Sequence, residues 1–194
     1  MIATTTSSAT ASPVEPPPAE YPAMALQGHY HDALTTPDGR VLWDRGWKRN
    51  TIVSDCRRLL AGFLHGGGIS LAIQGLWVGR GSDGWDVSGP PPGAPTQSAL
   101  VDPFPFLVPP AAMQIDFLDG AAVTATPTNR LQIKATLGPG LPPWPDGNHA
   151  TANLREFGLV GQIGGVKSLI NYVTHPVIVK DPVSTLTRTI WLVF

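Results

Sequence analysis

Charge is scarce in this sequence. Asp, Glu, Lys and Arg together make up 14% of the residues, against about 25% in ordinary soluble domains. The net charge is -1, so there is no basic footprint to neutralise phosphates and no nucleic-acid partner is expected. Cysteine is scarcer still. Cys56 is the single one, which excludes an intrachain disulfide and frees the fold from an oxidising compartment. On the apolar face of an expected helix, Cys56 reads as a small buried hydrophobe rather than a reactive thiol. No apolar run approaches the ~20 residues of a transmembrane helix, so no membrane span is expected. The segment Met1–Ser8 has neither the basic region nor the apolar core of a secretory signal. Also missing are G-x-S-x-G, H-E-x-x-H, a Walker loop and a convincing Cys/His couple. No catalytic activity and no cofactor are expected.

What the chain has in quantity is turn formers: 21 Gly and 21 Pro. Well-patterned apolar runs lie between them, which points to many strands and long loops rather than disorder. The expected class is all-β: an antiparallel β-sandwich with one short α-helix and an extended N-terminal arm. Residues 1–27 are that arm. They are rich in Ser, Thr, Ala and Pro, with Glu15-Pro16-Pro17-Pro18 at the centre, a composition that favours extended or polyproline-like backbone. Residues 28–194 form the sandwich domain.

The organising stretch is Trp43 to Gly81. Asn50 or Thr51 is of the type that caps a helix, and Asp55 would sit in the first turn, where the helix dipole favours a negative charge. Ile52, Cys56, Leu59, Leu60 and Phe63 recur at helical spacing, with Arg57 and Arg58 pointing the other way. Gly66, Gly67 and Gly68 should stop this helix, and Ile69, Leu71 and Ile73 then alternate as a strand. A lone helix among strands is expected to plug one end or face of the sandwich. Upstream, Gly28–Leu34 and Arg40–Trp47 read as a hairpin turning at Pro37-Asp38-Gly39. Downstream, Met113–Leu118 and Ala121–Thr126 pair around Asp119-Gly120. Further strands are expected at Leu131–Leu137, at Leu154–Val160 with a break at Gly158, at Val166–Thr174 and at Leu186–Phe194. Gly79–Pro95 and Gly138–Asn148 read as long loops, carrying Trp85 and Trp144, and loops of this length usually contact a partner or carry function. Pro103–Phe106 is apolar but too proline-rich for a central strand.

Several patterns carry two readings. Gly79-Arg80-Gly81-Ser82-Asp83-Gly84 matches a dinucleotide fingerprint, but Pro90-Pro91-Pro92 forbids the helix that motif needs, so a strand-end turn is the better account. His29 and His31 share one strand face and are weak candidates for a metal; an exposed pair on a hairpin is the alternative. His65, His149 and His175 stand alone. Asp83/Asp86 and Asp116/Asp119 lack a full calcium ligand series and fit turn chemistry. Asp83 and Asp86 are also the pair a glycan hydrolase would have to use. Arg45, Lys48, Arg49, Arg57 and Arg58 form one basic cluster, either a solvated face or a contact with an acidic neighbour. Trp77, Trp85 and Trp144 would stack on sugar rings or pack inward. The expected partner contacts are Pro16, Pro17, Pro18, Arg45, Trp47, Lys48, Arg49, Trp85 and Trp144.

The order of pieces resembles bacteriophage tail and tail-fibre (tail-collar-type) structural proteins, which also occur in phage-tail-like contractile injection systems. A strand runs into Lys48-Arg49-Asn50-Thr51-Ile52-Val53, then a short helix and a Gly break, then a strand ending Val78-Gly79-Arg80-Gly81. Pro95-Thr96-Gln97-Ser98-Ala99-Leu100-Val101 is similar to that family's P-T-x-x-T-x-L stretch. Ala152-Asn153-Leu154-Arg155-Glu156-Phe157-Gly158-Leu159 is similar to its A-N-x-x-I-x-E-x-G-L strand. Leu169–Tyr172, Pro176–Lys180 and Leu186–Trp191 follow its closing pattern. The resemblance implies a homo-oligomeric structural protein of the virion, made in the host cytoplasm. It would serve as a tail, tail-fibre or baseplate-associated part touching other virion or tail subunits. A receptor- or host-glycan-binding tip and a capsid decoration protein are the alternatives.

Overall fold

The chain is described by a computed structural model that places residues 26–65, 70–163 and 165–194. Residues 1–25 of the arm, including Pro16, Pro17 and Pro18, the glycines 66–68 with Ile69, and Gly164 lie outside the described residues. Eleven strands are described: β1 (Gln27–Thr35), β2 (Val41–Ile52), β3 (Ser70–Gly79), β4 (Phe106–Val108), β5 (Met113–Asp119), β6 (Ala122–Thr124), β7 (Arg130–Leu137), β8 (Asn153–Ile163), β9 (Val166–Leu169), β10 (Asn171–Val179) and β11 (Thr185–Val193). Two helices accompany them, α1 (Ser54–His65) and the one-turn α2 (Trp85–Ser88). The chain is all-β and every strand pair is antiparallel.

The strands do not form two separately bonded sheets. Pairing runs continuously in the order β4-β3-β8-β10-β2-β1-β11-β7-β5-β6, with β9 on β8. The link between the halves is short: only Asn171 and Tyr172 of β10 pair with Ile52 and Thr51 of β2. Both halves nevertheless share one core. Tyr30 of β1 meets the Phe157 ring of β8 edge-on at 5.2 Å, and one apolar cluster joins Ile133, Leu137, Leu186 and Ile190 to Leu76, Leu154, Leu159 and Ile178.

The alternation of apolar residues dictates which face is inward. In β1, Gly28, Tyr30, Asp32 and Leu34 are buried, and in β11 Leu186, Arg188, Ile190 and Leu192. The two hairpins form where their turn residues place them. Gly39 (φ 85°) closes β1–β2, and Gly120 (φ 62°) closes β5–β6 with Asp119 opposite Ala122. Proline confines Phe106–Val108 to a three-residue strand at the sheet edge.

Five local expectations are corrected. The helix starts at Ser54, not at Asn50 or Thr51, because β2 extends through Ile52. The Asn50 side chain instead occupies the space that a Cβ on Gly28 would need, and the Thr51 hydroxyl donates to the Gly93 carbonyl. Within α1 only Cys56 is buried, and Leu59 is half-buried; both join the core beyond Gly161, whose missing side chain leaves room for the Leu59 methyls. Leu60 and Phe63, expected on the inner face, are 36% and 48% exposed. Gly158 does not break β8: it lies inside a continuous strand, with the Asn171 carbonyl and a Leu169 methyl both 2.6 Å from where a Cβ would stand. Finally, Val166–Thr174 is two strands divided at Ile170, and the Gly79–Pro95 loop contains α2, which ends at Gly89 before the prolines.

Candidate functional site

Two constellations of side chains stand out, one buried and one exposed. The buried one fixes the long loops. Glu156 of β8 is fully buried, and its carboxylate accepts from Val101 N (2.9 Å), Asp102 N (2.7 Å) and the Tyr172 hydroxyl (2.7 Å). Burial of the Tyr172 hydroxyl, and the hydrogen bond it donates to this carboxylate, push its pKa well up. Asp102 accepts from Arg80 N, Phe104 N and His149 Nε2 (3.0 Å). The other ring nitrogen, Nδ1, lies 2.8 Å from Asp146, and Trp144 stacks on the ring at 3.8 Å. Arg155 is clamped by Asp86 (2.8 and 2.7 Å) and Asp83 (2.9 Å) and also donates to the Arg80 carbonyl.

This network has the residue types of acid–base chemistry but not an open geometry. The His149 side chain is 1% exposed and has a carboxylate on each ring nitrogen, so neither nitrogen is left to face a substrate. Asp83 and Asp86 both neutralise Arg155. Their carboxylates serve the loop and not a cleft, contrary to what a glycosidase needs. His149, expected to stand alone, is the centre of the network. So is His175 of another cluster: its Nδ1 faces the Pro176 carbonyl at 2.9 Å and its Nε2 faces Arg188 at 3.1 Å. Burial and the neighbouring guanidinium lower the His175 pKa to about 3.

The exposed constellation lies on the outer face of the β2-β1-β11-β7-β5 half. Register places two rows across it. Arg49, His29, Trp191, Gln132 and Asp116 are successive neighbours, and so are Trp47, His31, Thr189, Lys134 and Gln114. Trp47 and Trp191 reach across β1 to 4.6 Å, tilted by 48°. His31 lies 5.3 Å from Trp47 and 2.7 Å from Asp44, and the Trp191 indole donates to Gln132 at 3.1 Å. Trp47 is 48% exposed. The result is an aromatic platform rimmed by polar and basic side chains.

The expected contact residues divide accordingly. Trp47, Lys48 and Arg49 are exposed. Arg45 is not free, since its guanidinium donates to the Pro176 and Val177 carbonyls and lies over Trp43 at 4.8 Å. Trp144 is occupied by His149 and the core, Trp85 packs over Gly81, and Trp77 packs beneath the 89–105 loop with Leu100. The three tryptophans considered for sugar stacking are each half-buried and held by these contacts within the chain. His29 and His31 share a face as expected, but His31 is held by Asp44, and the described residues assemble no group of three metal-ligating side chains. Trp191 and Gln132 escaped sequence reasoning. The signal was present in the alternation of Leu186, Ile190 and Leu192, which forces Trp191 outward. Among the described residues no helix is long and apolar enough to cross a membrane. No protein-family model, curated protein or solved structure matches this chain.

Proposed function

We propose that this chain is a non-enzymatic structural subunit of a bacteriophage tail, tail-fibre or baseplate-type particle, and that it works by contacting neighbouring subunits. The observation that carries the reading is the apolar surface. Val41, Leu42, Trp47, Phe63, Leu64, Phe104, Val166 and Val179 are each more than 40% exposed, on a chain with net charge -1. Exposed apolar side chains on a chain of near-zero net charge favour association. The tail-type succession of segments supplies the setting, and the enclosed His149 and Arg155 networks supply loop rigidity without chemistry.

Sedimentation velocity of the full chain over a hundredfold concentration range tests this. Mass should rise with concentration, and the chain should join tail-like particles when co-expressed with their other subunits. A monomer at every concentration that also stays off particles refutes the assembly reading. A second reading has its own observation: Trp47, Trp191, Gln132 and His31 have the make-up of a sugar-binding face. Quenching of tryptophan fluorescence by soluble oligosaccharides, abolished in Trp47→Ala, would favour a glycan-binding tip.

A further inference from the structure

We propose that the proline-rich segment 13–22 of one copy seats on the Trp47–Trp191 platform of a neighbouring copy. This deepens the assembly reading above and rests on it, by naming both sides of a contact.

Three observations converge. The first is the aromatic surface itself. Trp47 is 48% exposed and meets Trp191 at 4.6 Å with a 48° tilt, which opens a notch between two indoles. Aromatic notches of this kind take polyproline segments, whose preformed left-handed helix loses little entropy on docking. The N-terminal arm carries a matching segment, Pro13-Val14-Glu15-Pro16-Pro17-Pro18-Ala19-Glu20-Tyr21-Pro22, which unlike the Pro90-Pro91-Pro92 run is acidic. The second is charge. Residues 1–27 contain Glu15 and Glu20 and no Lys or Arg. The platform presents Arg49 at one side and Lys134 toward the other, both exposed. The third is where the segment joins the fold. Leu26 packs against the core and Gln27 pairs with Val193, so the arm arrives at the N-terminal end of an interior strand of this same sheet half, one outward position before His29. Two residues of strand separate Gln27 from the first platform row, about 7 Å. Ten residues of polyproline helix span about 31 Å, more than the ~19 Å across the five strands of the platform. A copy placed beside this strand end would receive the arm without any rearrangement of the domain.

The test uses the full chain throughout. Sedimentation is compared for wild type, Trp47→Ala, and a disabled-arm variant carrying Pro16→Gly, Pro17→Gly and Pro18→Gly. Both variants should raise the dissociation constant for self-association about thirtyfold or more, as loss of a buried aromatic anchor does. Arg49→Glu should weaken association, and Glu15→Arg with Glu20→Arg should restore it in that background. Thermal melts confirm that the variants fold. A synthetic peptide of residues 12–23, added to the disabled-arm chain, should quench tryptophan fluorescence saturably, and should fail to do so when Trp47→Ala is present. Unchanged mass in all variants, or no quenching by the peptide, overturns the proposal while leaving assembly intact. A monomeric wild type removes the assembly reading and the docking between copies with it.

Discussion

Replacing Arg188 with Met should be among the most damaging single changes available to this fold. Arg188 and Asp32 are direct cross-strand neighbours on β11 and β1, both fully buried. The guanidinium donates to both carboxylate oxygens, at 2.6 and 2.7 Å, and lies 3.6 Å from the centre of the Phe157 ring. Although burial alone would raise it, this guanidinium holds the Asp32 carboxyl below its ordinary range. Arg188→Met leaves that carboxylate buried without a counterion, and takes the hydrogen-bonding partner from His175 Nε2 as well. Removing one partner of a buried pair costs about 3–5 kcal/mol. For a chain of this size each kcal/mol is worth roughly 2–4 °C in Tm, so the melting point should fall by about 6–20 °C. The double variant Asp32→Val with Arg188→Met should behave differently. It removes both charges, and with them the one guanidinium nitrogen, Nη1, that is buried without a partner among the described residues. Apolar replacement of a whole buried pair is often neutral or stabilising, so the double variant should recover all but about 1–2 kcal/mol. Circular-dichroism melts and urea titrations of the four proteins close the cycle. A loss below about 1 kcal/mol in Arg188→Met, or a double variant no better than the sum of the singles, would refute the reasoning.

Stability should also fall with pH because of His175. Its pKa is lowered to about 3 by burial and by Arg188, whereas an unfolded histidine titrates near 6.5. Between those values the unfolded chain binds a proton that the folded chain does not, so unfolding free energy should drop as pH falls, by up to about 1.4 kcal/mol per unit from this residue. His175→Gln should flatten the slope between pH 6.5 and 4.5 in urea titrations; an unchanged slope would show that another group is responsible. Gly158→Ala should cost about 1–3 kcal/mol, since the new methyl meets the Asn171 carbonyl and Leu169 at 2.6 Å, and a melt within 1 °C of wild type would contradict that packing. Cys56 has its pKa pushed up to about 11 by burial. It should therefore resist a thiol reagent at pH 8 in the native chain and react promptly in urea, and fast native labelling would contradict its burial.

How much could be read ahead of the structure follows from the range of each interaction. The turns at Pro37-Asp38-Gly39 and Asp119-Gly120 and the alternating strands β7 and β11 are local, and residue types alone placed them. The start of α1 was not local. Asn50 and Thr51 are cap-type residues, yet Thr51 pairs with Tyr172, and this bond to a strand far along the chain keeps the backbone extended until Val53. Gly158 looked like a break for the same reason: what it makes room for is a carbonyl of β10, invisible from its own neighbours. The partners of the histidines are equally remote in sequence. His149 meets Asp102 across 47 positions, and His175 meets an arginine whose own partner is 156 positions away.

These distant pairings also bear on the surface. The sequence has 13 basic and 14 acidic residues, and Asp32, Asp102, Arg155, Glu156, Lys180 and Arg188 are all buried. A buried charge must be paired or hydrogen-bonded, and each is: Lys180, for example, donates to the carbonyls of Gly138, Asp181 and Ser184. The pairs tie the 79–105 and 138–152 loops and the β10–β11 turn to the sheet, so long Pro/Gly segments are fixed without a larger apolar core. The same charges are thereby withdrawn from the exterior. A chain that starts with few charges and buries several of them leaves an outside on which apolar side chains such as Leu64 and Val166 stand exposed. Rigid loops and a sparsely charged exterior thus come from one allocation of charge, and the proposed role in contacting neighbouring subunits would draw on both.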